Sequence, residues 1–177
     1  SIIEFQTVGR DITERKLRQT EHDQYTDRIE ELSSFLQSAL DAFPANTVVL
    51  DTAGTIIAMN NPWKLFASNN NGDASNHYRG ANYISVCERA VGYDAKDAHE
   101  TANGIRAVIA AQQDEFYLEY PCHTPTEERW FAVRVTPFLE PSPRRVVVAH
   151  TNITARKVNE RELNSLYNAT SYLFKAD

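Results

Sequence analysis

Apolar positions along this 177-residue chain follow more than one period. From about Thr13 to Ala42 there is no internal Gly or Pro, and the sequence predicts one long helix. Its first half, Glu14 to Arg28, is poor in apolar residues and predicts a solvated rod. A narrow seam then appears at Tyr25, Ile29, Leu32, Leu36, Ala39 and Phe43, with spacings of 4, 3, 4, 3 and 4. This is the a/d spacing of a coiled coil, but one stripe of a helix laid on its own domain has the same look, and both readings stand. Pro44 ends the helix, because it disfavours helical geometry at Phe43 and has no N–H to donate.

The period then shortens to two. Thr47–Asp51 and Thr55–Met59 are β-branched runs joined through Thr52, Ala53 and Gly54, a hairpin pattern. Asn60, Asn61 and Pro62 supply a cap and a proline for the first helical position, opening a short helix through Trp63, Leu65 and Phe66. Residues 68–80 are polar and aperiodic, as a loop is. Tyr83, Ile84, Val86 and Cys87 predict another short helix ending by Gly92. Asp94–Gln112 is the clearest amphipathic helix, with Ala98, Ala102, Ile105 and Ile109 on one face.

Three strands follow, Glu115–Cys122, Arg129–Thr136 and Arg145–Thr151. In the middle one Phe131, Val133 and Val135 share a face, and Trp130, Ala132 and Arg134 share the other. Three consecutive strands predict an antiparallel meander, and the hairpin must join the same sheet because two strands alone are marginal. A helix from Lys157 to Phe174 carries Leu163, Leu166, Thr170 and Leu173 on one side.

One pattern occurs twice. Asp11-Ile12-Thr13-Glu14-Arg15-Lys16 matches Asn152-Ile153-Thr154-Ala155-Arg156-Lys157, and each follows a run rich in β-branched or aromatic residues. Each reads as a strand handing over to a charged helix, with Asp11 or Thr13, and Asn152 or Thr154, available as caps. The predicted organisation is therefore a strand from a preceding module at 1–12, a linker helix at 13–43 and one α+β domain at 44–154. An outgoing helix at 155–177 leads to a further domain.

Composition narrows the function classes. An apolar fraction of 42%, with eight Phe, eight Tyr and two Trp, supplies a core. The net charge of −6 and the lack of a basic stripe argue against nucleic acid as a partner. No run has the length of a membrane span, and membrane contact by this segment is not expected. Cys87 and Cys122 are far apart and predict two reduced thiols rather than a disulfide framework.

The hairpin pattern Asp51-x-x-Gly54-x-Ile56-x-x-x-Asn60 with Trp63 after it resembles a PAS domain, the sensory module of bacterial multi-domain signalling proteins. Arg129-Trp130-Phe131, Val133 to Pro137 and the closing Asn152-Ile153-Thr154-x-Arg156-Lys157 extend the resemblance over roughly residues 36–157. It implies a five-stranded antiparallel sheet with helices on one face, enclosing a pocket. It also implies flanking signalling helices that couple modules of a cytoplasmic protein, such as a two-component system, in a homodimer. Leu163–Thr170 looks like the lead-in to another sensory module, a GAF or PAS domain, and any effector lies in other domains.

No catalytic set is legible: there is no phosphate-cradling Gly loop, no nucleophile elbow, and the carboxylates are scattered. The chain is thus expected not to be an enzyme. Some PAS domains hold haem through a histidine of the long helix, and His99 is the residue at that place, though at the edge of the apolar stripe. The family's photoactive flavin chemistry needs a Cys in an Asn-Cys-Arg-Phe context, which Cys87 lacks. No cofactor is required, and haem or a small metabolite are the ligands considered. Pocket candidates are Tyr83, Val86, Ala98, Ala102 and Ile105 from the helices. From the strands the pocket takes residues of the 116–122, 129–136 and 145–151 runs. Trp130 and Arg134 are among them if their strand face turns inward, where Arg134 would clamp a carboxylate or stack on a ring. Tyr25, Ile29, Leu32, Leu36 and Phe43 are the candidate dimer seam, and Asn152, Ile153, Thr154 and Arg156 the output coupling.

Overall fold

A computed structural model describes residues 2–69, 79–93, 95–124, 126–138 and 144–173; side chains at 2–14, 69 and 169–173 lie outside the description. The chain divides into two units, residues 1–42 and 43–177.

The first unit is one helix, α1 (Ile2–Asp41). The strand expected over residues 1–12 is helical from Ile2 onward, and no helix begins at Asp11 or Thr13 because α1 runs through both. A lone strand has no neighbour for its backbone N–H and C=O groups, whereas a helix satisfies them internally. Tyr25, Ile29, Leu32 and Leu36 are all exposed along α1, and Phe35 with them.

The second unit is an α+β domain. Its strands are β1 (Asn46–Leu50), β2 (Ile56–Met59), β3 (Phe116–Pro121), β4 (Trp130–Pro137) and β5 (Val146–Asn152). They form one antiparallel sheet in the order β2-β1-β5-β4-β3, so the hairpin does join the meander. Its helices are α2 (Asn61–Asn69), α3 (Tyr83–Glu88), α4 (Ala95–Ile109) and α5 (Thr154–Leu173). Of the two irregular connections, residues 70–78 and 139–143 lie outside the described residues.

Alternation sorts the side chains. Val48 and Leu50, Val133 and Val135, and Val146 and Val148 all turn to the inner face, where Ala102, Ile105 and Val108 of α4 complete the core. Each such side chain, fully withdrawn from water, contributes about 1.5–3 kcal/mol. Gly104 lets α4 sit on β3, since a Cβ there would run into the Phe116 ring.

Two junctions fix where the helices stand. Asn60 is fully buried and uses its whole amide. Its Oδ1 accepts from the N–H groups of Thr47 (2.9 Å) and Trp63 (3.0 Å), and its Nδ2 donates to the carbonyls of Phe43 (3.1 Å) and Ala45 (2.8 Å). It thereby caps α2 and seats Trp63 in the core. At the β1–β2 turn, Asp51 Oδ1 accepts from Ala53 and Thr55 N–H, and Gly54 takes φ +82°. Tyr83 N–H donates to the Gly54 carbonyl at 2.8 Å, while Asn82 caps α3 through Ser85 N–H, so the turn anchors α3.

Candidate functional site

Between α3, α4 and the ends of β3 and β5 lies a half-open cavity of about 130 Å³. Tyr83, Cys87, Asp97, Ala98 and Thr101 line it from the helices. Tyr120, Pro121, Cys122 and His150 line it from the strands. For scale, an apolar cavity of about 150 Å³ accepts benzene.

His150, 8% exposed, is the buried imidazole of this wall, and both ring nitrogens are engaged. Nε2 lies 3.0 Å from the Tyr83 hydroxyl and Nδ1 lies 2.7 Å from that of Tyr120. The Trp63 ring, 5.7 Å from the imidazole and 5.6 Å from Tyr83, backs the pair. A neutral imidazole offers one donor and one acceptor, so one tyrosine donates to it and the other accepts from it. Burial keeps it neutral, lowering its pKa to about 4. Burial likewise raises Tyr83 well above its ordinary range and pushes the Cys87 thiol up to about 11. Cys87 and Cys122, both free thiols, face this one cavity despite their distance in sequence.

The sequence-predicted residues divide. Tyr83 and Ala98 line the cavity. Ala102 and Ile105 are fully buried in the core, and Val86 is half-buried outside the cavity wall. Trp130 and Arg134 are on the other face of the sheet, because Phe131, Val133 and Val135 take the inner one. There Arg134 pairs with Glu115 at 2.8 Å and lies 5.4 Å over the Tyr117 ring, so no carboxylate clamp forms at the cavity. His99 also points elsewhere: it is exposed, and its Nε2 lies 3.0 Å from the Glu88 carbonyl, tying α4 to α3 beside the Arg106–Glu88 ion pair. Haem on His99 therefore does not fit, and it exceeds a cavity of this size. Among the described residues no group of three His, Cys, Asp or Glu is arranged to hold a metal.

The strand runs 116–122 and 145–151 include Tyr120 and His150 without singling them out, although the parity of His150 with Val146 and Val148 in β5 marks it as inward-facing. Thr101 gives no signal beyond one polar position on the apolar side of α4.

The outer sheet face receives the first turns of α5. Glu119 of β3 accepts from Lys157 (2.7 Å), Tyr117 (2.6 Å) and Arg156 (2.6 Å), and these bonds hold its carboxyl down to about 2. Lys157 and Arg161 lie 5.4 and 5.8 Å over the Trp130 ring. Asn152 Oδ1 accepts from Thr154 N–H at 3.0 Å and so holds the helix start. The Thr154 hydroxyl turns instead to the sheet, accepting from Trp130 N–H at 3.0 Å, while Ile153 accepts the first helical bond from Lys157 N–H.

Residues 40–158 match the family described as PAS fold. An uncharacterized 104.1 kDa protein in the hypE 3' region of Rhodobacter capsulatus is 34% identical over 121 residues. That stretch is 67% of this chain, and the chain spans only 13% of the relative. The PAS domain of BvgS from Bordetella pertussis superposes with a TM-score of 0.52 at 16% identity, over 78% of this chain and all but 2% of that one. The phage VqmA–DPO complex gives a TM-score of 0.51 at 16% identity, over 80% of this chain and 62% of that one. At these identities the structural likeness is one of fold. The family match over two thirds of the chain and the five-stranded sheet agree: the chain belongs to the PAS-fold family.

Proposed function

We propose that this chain is a sensory and relay module of a larger cytoplasmic signal-transduction protein. It binds a small ligand at the His150 cavity and passes the change to its flanking helices within a homodimer. The observation that carries this reading is the double duty of β3: it supplies Tyr120 to the cavity and Glu119 to the grip on Arg156 and Lys157. Because β3 is an edge strand with one neighbour, it is less constrained against a small shift than the central strands. Hydrogen exchange of the full chain tests the relay. Occupying the cavity is expected to change protection at residues 154–160, and no change there refutes it.

A second reading has its own support in the exposed apolar seams, Tyr25, Ile29, Leu32, Leu36 and Phe43 on one side and Leu163 and Leu166 in α5. In it the module is a ligand-free dimerisation unit, its seams covered by a second copy. Native mass spectrometry separates the two: a dimer carrying extra small-molecule mass supports sensing, an empty dimer supports the scaffold, and an empty monomer counts against both.

A further inference from the structure

We propose that the His150 cavity takes a ligand about the size of one aromatic ring, bearing a neutral hydrogen-bonding group, and turns away carboxylates of that size. This narrows the ligand class of the sensing reading and rests on it.

Size follows from the volume of about 130 Å³, close to that which accepts benzene. Charge follows from the wall. Among its described residues there is no Lys or Arg, and Arg134, the cation expected there, is on the opposite sheet face. Asp97 is the one acidic group lining the cavity. A bound carboxylate would therefore lose its water without gaining a cation, and would sit beside a like charge.

Among the described residues His150 is the one latent cation in this wall. Both of its ring nitrogens are committed to the Tyr83 and Tyr120 hydroxyls, and burial keeps the imidazole neutral. The wall therefore lends no positive charge to a bound anion. What it offers is a neutral hydrogen-bonded chain, Tyr83–His150–Tyr120. Each hydroxyl can give and accept and the imidazole has two tautomers, so the chain can run in either direction and meet a carbonyl or a hydroxyl.

The test is nuclear magnetic resonance titration of the full chain at pH 7 with phenol, benzamide and benzoate. Phenol and benzamide are expected to bind at least tenfold tighter than benzoate, with Overhauser contacts to the Tyr120 and His150 rings. Ala98→Phe, which fills the cavity, is expected to abolish those contacts. Equal or tighter binding of benzoate overturns the proposal, as does binding of none of the three or phenol contacts confined to other residues. The two readings fail separately. Phenol in the cavity with unchanged exchange at residues 154–160 removes the relay and leaves the ligand class; benzoate that wins and alters exchange does the reverse.

Discussion

Glu119 and Tyr120 are consecutive residues of the edge strand β3, and their side chains leave opposite faces of the sheet. Tyr120 reaches the buried His150 at 2.7 Å, and Glu119 holds Arg156 and Lys157 of α5 at 2.6 and 2.7 Å. Cavity and outgoing helix are therefore one peptide bond apart, an outcome of the two-residue period of a strand.

Glu119→Gln keeps the shape of the side chain and removes its charge. It is expected to raise amide exchange in the first two turns of α5 while leaving β4 and β5 as protected as before. Unaltered exchange at residues 154–160 would show that the grip does not hold the helix.

The buried imidazole gives stability a pH dependence of defined sign. An unfolded histidine titrates near ~6.5, while His150 in the fold titrates at about 4. Between these values the unfolded state binds more protons, so stability falls as pH drops from about 6.5 to about 4, by at most ~3 kcal/mol. Glu119, held at about 2, adds a further loss below the ordinary glutamate range. His150→Gln retains a donor and an acceptor without the titration. Urea unfolding at several pH values between 7 and 4 should be flatter for this variant, and equal slopes would refute the assignment.

α4 ends on a residue that a glycine would serve better. Ala111 adopts φ 57°, while its N–H reaches the Val108 carbonyl and that of Gln112 the Ala107 carbonyl. The left-handed conformation crowds its Cβ. Ala111→Gly is expected to raise stability by roughly 0.5–1 kcal/mol, read as a higher urea midpoint with an unchanged slope.

Thr154→Pro removes both the N–H that Asn152 accepts and the hydroxyl that accepts from Trp130 N–H, yet proline suits the first position of a helix. The domain is expected to stay folded and to lose its connection with whatever follows. Full-length protein with unchanged output would sink this expectation.

Much of this was legible in the residues. The Asp51–Gly54 turn, the amphipathic α4 and the alternation of β4 each carry a local period, and each element formed where that period lay. The first residues did not, because Ile3 and Phe5 have a strand's local preference and no strand to pair with. The cavity was half visible. Tyr83 and Ala98 stood on helices whose apolar side was evident, whereas the inward face of β4 depended on which side of the sheet the helices cover. His150 lay within the 145–151 run expected in the pocket wall, but in an apolar run a single polar residue reads as an interruption, and only its contacts with Tyr83 and Tyr120 give it a role.

The central strands β1 and β5 run antiparallel, with Asn46 opposite His150. The chain thus enters the sheet and leaves it at the same end, two neighbouring strands apart by a single ladder spacing. A module threaded in this way hangs from its polypeptide like a bead on a loop, instead of standing in line as a link. Segments joined at Asn46 and Asn152 therefore set out from neighbouring points at one end of the sheet.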